Sequence, residues 1–268
     1  VTINSQSPGP VPKDALDYLR AKGYRVGFDH RDVWQEEHAT AWTVAKAMRL
    51  DILETIRAAV DQMIEDGQSF AQFQRELQPM LEKLGWWGLG TLADPLTGEQ
   101  REVQLGSPRR LRTIFDVNLR TAHAAGQWQR IERTSKTHPY LLYQLGPSRE
   151  HRPEHVSWAG IILRADDPWW QTHFPPNGWG CKCWVRQVSR REAERLLSSG
   201  RYLNAAPDLG EQEYVNQRTG QIVKVPRGIE PGWAYNPGQV SRQARAQEIL
   251  DEKEGAKPPP AKTARKGV

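Results

Sequence analysis

Cysteine is scarce: two residues in 268, too few for a disulfide scaffold. Long apolar runs are missing as well. A membrane-spanning helix needs about 20 consecutive apolar residues, and no stretch comes near that. No basic segment followed by an apolar one opens the sequence, so no export signal is expected. The common catalytic signatures are also wanting: there is no Gly-x-Ser-x-Gly elbow, no Walker loop, no Gly-x-Gly-x-x-Gly and no His-Glu-x-x-His. Nor does any nucleophile stand beside an evident base. Hydrophobic residues make up 38% of the chain and eleven residues are tryptophan. That is polar for a globular chain but too aromatic for a disordered one. The balance is that of a soluble intracellular protein with structured parts and polar ends.

Positive charge is present but uneven. The chain carries +5 overall. Residues 107–152 hold nine basic side chains against three acidic ones, and the last twelve residues add Lys257, Lys262, Arg265 and Lys266 with no acid. The remainder is therefore acidic. A basic middle and a basic end suit a polyanionic neighbour, nucleic acid first; they equally suit a solvated helix face and an untethered tail.

Hydrophobic periodicity predicts an α+β protein, mainly helical toward the N-terminus with long amphipathic helices. Pro8, Pro10 and Pro12 mark an extended arm, followed by a short helix over about 13–22. Ala41, Ala45, Met48, Ile52, Ile56, Val60 and Met63 recur at steps of three or four and predict one helix from about Asp32 to Asp66, roughly 50 Å long. His38, near Trp34 and Trp42, reads as a packed histidine of that helix. Ser69 with Gln72 predicts a capping box for a helix whose apolar face is Phe70, Phe73, Leu77, Leu81 and Leu84. A hairpin around Thr97-Gly98 is expected next. Ser107-Pro108 then opens a helix with Leu111, Ile114, Phe115, Ala122 and Ala125 on one side. Arg109, Arg112, Arg120 and Arg130 fall within a wedge of about 80° on that helix, a candidate phosphate-facing stripe. Residues 140–145 read as a buried strand of a small mixed sheet around 140–188, residues 189–199 as a helix, and Thr219-Gly220 as the turn of a second hairpin. Three regions result: a helical part over 1–106, a core with a loop-rich segment over 107–240, and a basic flexible tail over 241–268.

The densest chemistry lies in residues 149–184, which hold three of the seven histidines, both cysteines and five tryptophans. In an extended backbone Cys181 and Cys183 point to one side, where a single metal ion could take both. His155 and His173 would complete a tetrahedral zinc site, with His151 or Asp167 as substitutes. A segment so rich in Pro, Gly and Trp has little regular structure to hold it, and a zinc staple would supply rigidity. The same residues also fit two small buried thiols with locally hydrogen-bonded histidines. Asp166 and Asp167, adjacent in the chain, point apart and suit paired acid–base work poorly.

Several runs resemble the phage Mu F-like minor head protein family, also described as the phage head-morphogenesis family. They are Arg152-x-x-His155 with Gly160, Asp166-Asp167-Pro168-Trp169-Trp170, and Pro175-Pro176-Asn177-Gly178-Trp179-Gly180-Cys181-Lys182-Cys183. Segments around Trp34–Lys46, Gly85–Gly88, Asn118–Ala122 and Pro231–Gly238 look similar too. Lys182 stands where the family commonly has arginine. The resemblance implies a virion component in few copies, made in the host cytoplasm and placed in the capsid interior or portal vicinity. It implies contacts with portal and capsid or scaffold proteins and with packaged double-stranded DNA, bound weakly and without sequence preference. No membrane, no small-molecule substrate and no enzymatic step are implied. The alternative from the residues is a metal-dependent nuclease or hydrolase built on His155, Cys181 and Cys183.

Overall fold

The computed structural model describes residues 13–255. The arm expected at 1–12 and the end of the expected tail, 256–268, lie outside them. Helix α1 (Lys13–Arg20) buries Ala15, Leu16, Tyr18 and Leu19, a set that shares one helical face. Beyond strand β1 (Gly23–Tyr24) the chain departs from the single helix expected over 32–66. Only Glu37–Thr40 (α2) is helical there, Ala41–Trp42 (β2) pairs in parallel with β1, and helix α3 (Leu50–Asp66) starts at Leu50. The backbone between them is engaged elsewhere. The Lys46 carbonyl accepts the Trp86 indole N–H at 2.8 Å, the Lys46 N–H donates to the Gly27 carbonyl at 2.8 Å, and the Ala45 carbonyl accepts from Arg110. A helix would close those groups into its own ladder. Ile52, Ile56, Val60 and Met63 do form the buried face of α3, while Ala41, Ala45 and Met48 share the spacing without the helix.

Helix α4 (Phe70–Lys83) has the expected capping box: the Ser69 hydroxyl accepts from the Gln72 N–H, and the Gln72 side chain accepts from the Ser69 N–H at 2.9 Å. It buries Phe73, Leu77 and Leu81 against the first core. Strands β3 (Leu89–Ala93) and β4 (Gln100–Gln104) make the hairpin around Thr97-Gly98. Helix α5 (Pro108–Thr134) then runs 27 residues, about 40 Å. Leu111, Ile114, Phe115, Ala122 and Ala125 pack into the first core with α1, α3 and α4, whereas Ala124, Trp128 and Ile131 enter a second one. The boundary drawn at 106/107 thus falls just before a helix that serves both cores.

The second core is built on strand β5 (Tyr140–Gln144). Helix α6 (Pro153–Trp158), strand β6 (Ile162–Arg164), helix α7 (Trp170–His173), strand β7 (Trp184–Val188) and helix α8 (Arg190–Ser198) follow. The sheet has the order β6-β5-β7 and is antiparallel throughout, not mixed. Leu141, Leu142 and Tyr143 are all buried because both faces of β5 are covered, Leu141 and Tyr143 by the second core and Leu142 by Ile162, Val188 and Ala193. A continuous apolar run is what such a strand needs. Strands β8 (Glu211–Val215) and β9 (Ile222–Pro226) form the second expected hairpin. Helix α9 (Pro237–Gly255) packs on α5, so residues 241–255 are helical where a flexible tail was expected.

Candidate metal centre

Pro153 sits in the first turn of α6, so that His155 and Trp158, three apart, share its inner side; both are buried. The His155 ring stacks on Trp158 with centroids 4.8 Å apart. Its Nε2 donates to the Gly228 carbonyl at 2.8 Å. A carbonyl can only accept, so the proton belongs on Nε2 and the Nδ1 lone pair is left facing inward. That approach depends on Gly228. Its φ is +90°, and a Cβ there would meet Glu154 Cβ at 2.5 Å and the Trp158 ring at 2.7 Å.

Cys181 and Cys183 lie at the entry to β7 and bring both sulfurs to that lone pair. Sγ of Cys181 is 3.9 Å, and Sγ of Cys183 3.5 Å, from His155 Nδ1. Among the described residues these three ligand atoms lie within 4.8 Å of one another, with no fourth His, Cys, Asp or Glu in the group. The loop bearing the cysteines presses onto Gly146, where a Cβ would come within 1.8 Å of the Lys182 carbonyl oxygen. A hydrogen bond from the Cys183 thiol lowers the Cys181 pKa against the opposing effect of burial. Cys183 is pushed up in turn, by its bond to Cys181 and by burial. Arg120 ties the cysteine loop to α5, its guanidinium donating to the Cys181 carbonyl at 2.6 Å.

The other residues proposed as ligands go elsewhere. His173 stacks on Trp169 at 4.3 Å and meets the Trp158 edge at 5.0 Å, so that the Trp158 indole contacts both imidazoles. Its Nδ1 lies 2.8 Å from the Thr172 hydroxyl and 3.2 Å from the Trp169 carbonyl, and burial lowers its pKa to about 4. The His151 ring meets the Gly146 carbonyl at 2.9 Å. Asp167 caps the Trp169 N–H, and Asp166 is paired with Arg164. What the residue pattern missed is the support: Tyr143 donates to the amide oxygen of fully buried Asn177 at 3.0 Å, and Gly228 acts through its backbone alone.

The arginine wedge divides. Arg112 pairs with Asp116 at 3.1 Å and covers the Phe70 ring, and Arg120 is held by Cys181. Arg109 and Arg130 are exposed and take no side-chain partner among the described residues. Arg120 and Arg130 share with Cys181, Lys182 and Cys183 a cleft of about 550 Å³. A second cavity, of about 500 Å³, lies beside Trp34, His38, Trp42 and Trp179. Lys22 lines it and is almost fully buried, donating to the His38 carbonyl at 2.7 Å with its ammonium 4.5 Å over the Tyr18 ring. Burial, with the charge of Arg57 nearby, lowers Lys22 to about 7.

Residues 54–186 match the family described as Phage Mu protein F like protein, a span that contains the histidine–cysteine cluster and the arginine wedge. The chain belongs to this family. It is 39% identical over 241 residues to a protein of Escherichia phage Mu named "Putative capsid assembly protein F", covering 86% of this chain and 55% of that one. It is 38% identical over 229 residues to the "Mu-like prophage FluMu F protein" of Haemophilus influenzae (strain ATCC 51907 / DSM 11121 / KW20 / Rd), covering 78% and 53% respectively. The chain therefore spans about half the length of these relatives. No solved structure matches it. Among the described residues no helix is long and apolar enough to cross a membrane.

Proposed function

We propose that this protein acts in phage head morphogenesis as a minor head component. In that role it contacts portal and capsid or scaffold proteins and packaged DNA in the virion. The observation that carries the reading is the 39% identity, over 86% of the chain, to a phage Mu protein named for capsid assembly. The architecture is compatible with a structural part. In a phage encoding this chain, disrupting its reading frame is expected to abolish filled heads, and mass spectrometry of purified particles to find it far below the major capsid protein. Full titre without it would refute the role.

The DNA contact proposed here rests on the two arginines of the wedge that the fold leaves exposed, Arg109 and Arg130. The chain is expected to retard duplex DNA at low salt and to release it steeply as salt rises. Each phosphate that a side chain neutralises contributes about 0.9 to the slope of log affinity against log salt. Arg109→Ala with Arg130→Ala is therefore expected to flatten that slope by about 2, while Arg112→Ala, whose guanidinium is already paired with Asp116, changes it little. Equal slopes for the double variant and the parent would remove the wedge from the DNA interface.

A further inference from the structure

We propose that His155 Nδ1, Cys181 Sγ and Cys183 Sγ hold one zinc ion with a water as fourth ligand, and that this ion pins the cysteine-bearing loop before β7 against α6. The proposal is independent of the head-assembly reading. Zinc–sulfur and zinc–nitrogen bonds of about 2.3 and 2.0–2.1 Å at a tetrahedral angle place neighbouring ligand atoms about 3.6 Å apart. The Nδ1–Sγ separations are 3.5 and 3.9 Å.

Further considerations support the assignment. The Gly228 carbonyl fixes the imidazole in the tautomer that offers Nδ1, the outer-shell partner that metal-bound histidines usually have. Two thiolates and a neutral imidazole around a divalent ion make a centre of zero net charge, which avoids the large cost of burying an unbalanced one. Two soft sulfurs and an imidazole in tetrahedral array select zinc over magnesium or calcium. Cys181 and Cys183 also line the arginine-bearing cleft, the side from which a water would reach the ion. On binding, the ion displaces the protons carried by the two thiols, which leave to solvent.

The test is elemental analysis of the full chain, purified without a metal-binding tag, together with the absorption spectrum of the cobalt-substituted protein. About one zinc per chain is expected, with the charge-transfer absorption of thiolate-bound cobalt. His155→Ala, Cys181→Ser and Cys183→Ser are each expected to lower zinc affinity at least tenfold. His173→Ala is expected to keep the ion, which separates this site from a Cys2His2 site completed by His173. The spectrum of the parent chain decides the matter even if a variant fails to fold. Metal-free native protein that takes up no cobalt would overturn the proposal, as would zinc retained when both cysteines are serine. Loss of zinc in a folded His173→Ala variant would overturn the three-ligand assignment.

Discussion

Lys22→Met is expected to stabilise the protein at pH 7 by about 2 kcal/mol, and to abolish a rise in stability that the parent shows between about pH 7 and 10. Lys22 is 7% exposed and its ammonium meets a carbonyl and a ring, not a carboxylate. Burial brings its pKa from 10.5 to about 7. Below pH 7 both the folded and the unfolded chain bind the proton, and the fold bears the whole cost of a buried cation, about 5 kcal/mol for a shift of that size. As pH climbs toward the unfolded value the folded lysine is neutral while the unfolded one is still charged, so stability increases with pH. Methionine keeps the apolar stem and removes the charge, but gives up the bond to the His38 carbonyl, which reduces the net gain. Urea denaturation of both proteins at several pH values reads the effect. A parent curve flat over that range, with a destabilised variant, would mean that Lys22 reaches water.

Trp158→Ala is expected to cost about 4 kcal/mol, within the range for emptying a buried aromatic position. The Trp158 side chain is 1% exposed and contacts Tyr143, His155, Trp169 and His173. Its removal opens a void among these four rings and frees the plane on which His155 is stacked. Trp158→Phe is expected to lose less than half as much, since a ring still fills most of the space. Chemical denaturation monitored by circular dichroism measures both. A cost below 1 kcal/mol for the alanine variant would show that the second core is held chiefly by something other than this aromatic cluster.

Local signals were legible wherever a segment's own residues decide its conformation. Ser69 with Gln72, Ser107 with Pro108, and the two Thr-Gly turns all form as their chemistry directs. The helix expected over 32–66 was wrong over its first half because tertiary partners took its backbone: Trp86, Arg110 and Gly27 each claim a group that the periodicity assigned to a helical ladder. Helix α9 gives little sign of itself in the sequence because its charge, and the prolines beyond its end, mask it. At the candidate site, His155, Cys181 and Cys183 were readable from their residue types and come together. The position of His173 depends on stacking with Trp169, which spacing does not encode. The burial of Lys22 is set by residues far along the chain, so its own neighbours give no sign of it.

Helix α5 carries side chains of both cores along one rod of 27 residues. A load applied anywhere along this rod is therefore divided between two hydrophobic anchors at once. Neither half of the molecule can be peeled away without stripping a wall from the other, so force on the outer surface is resisted by the fold as a whole.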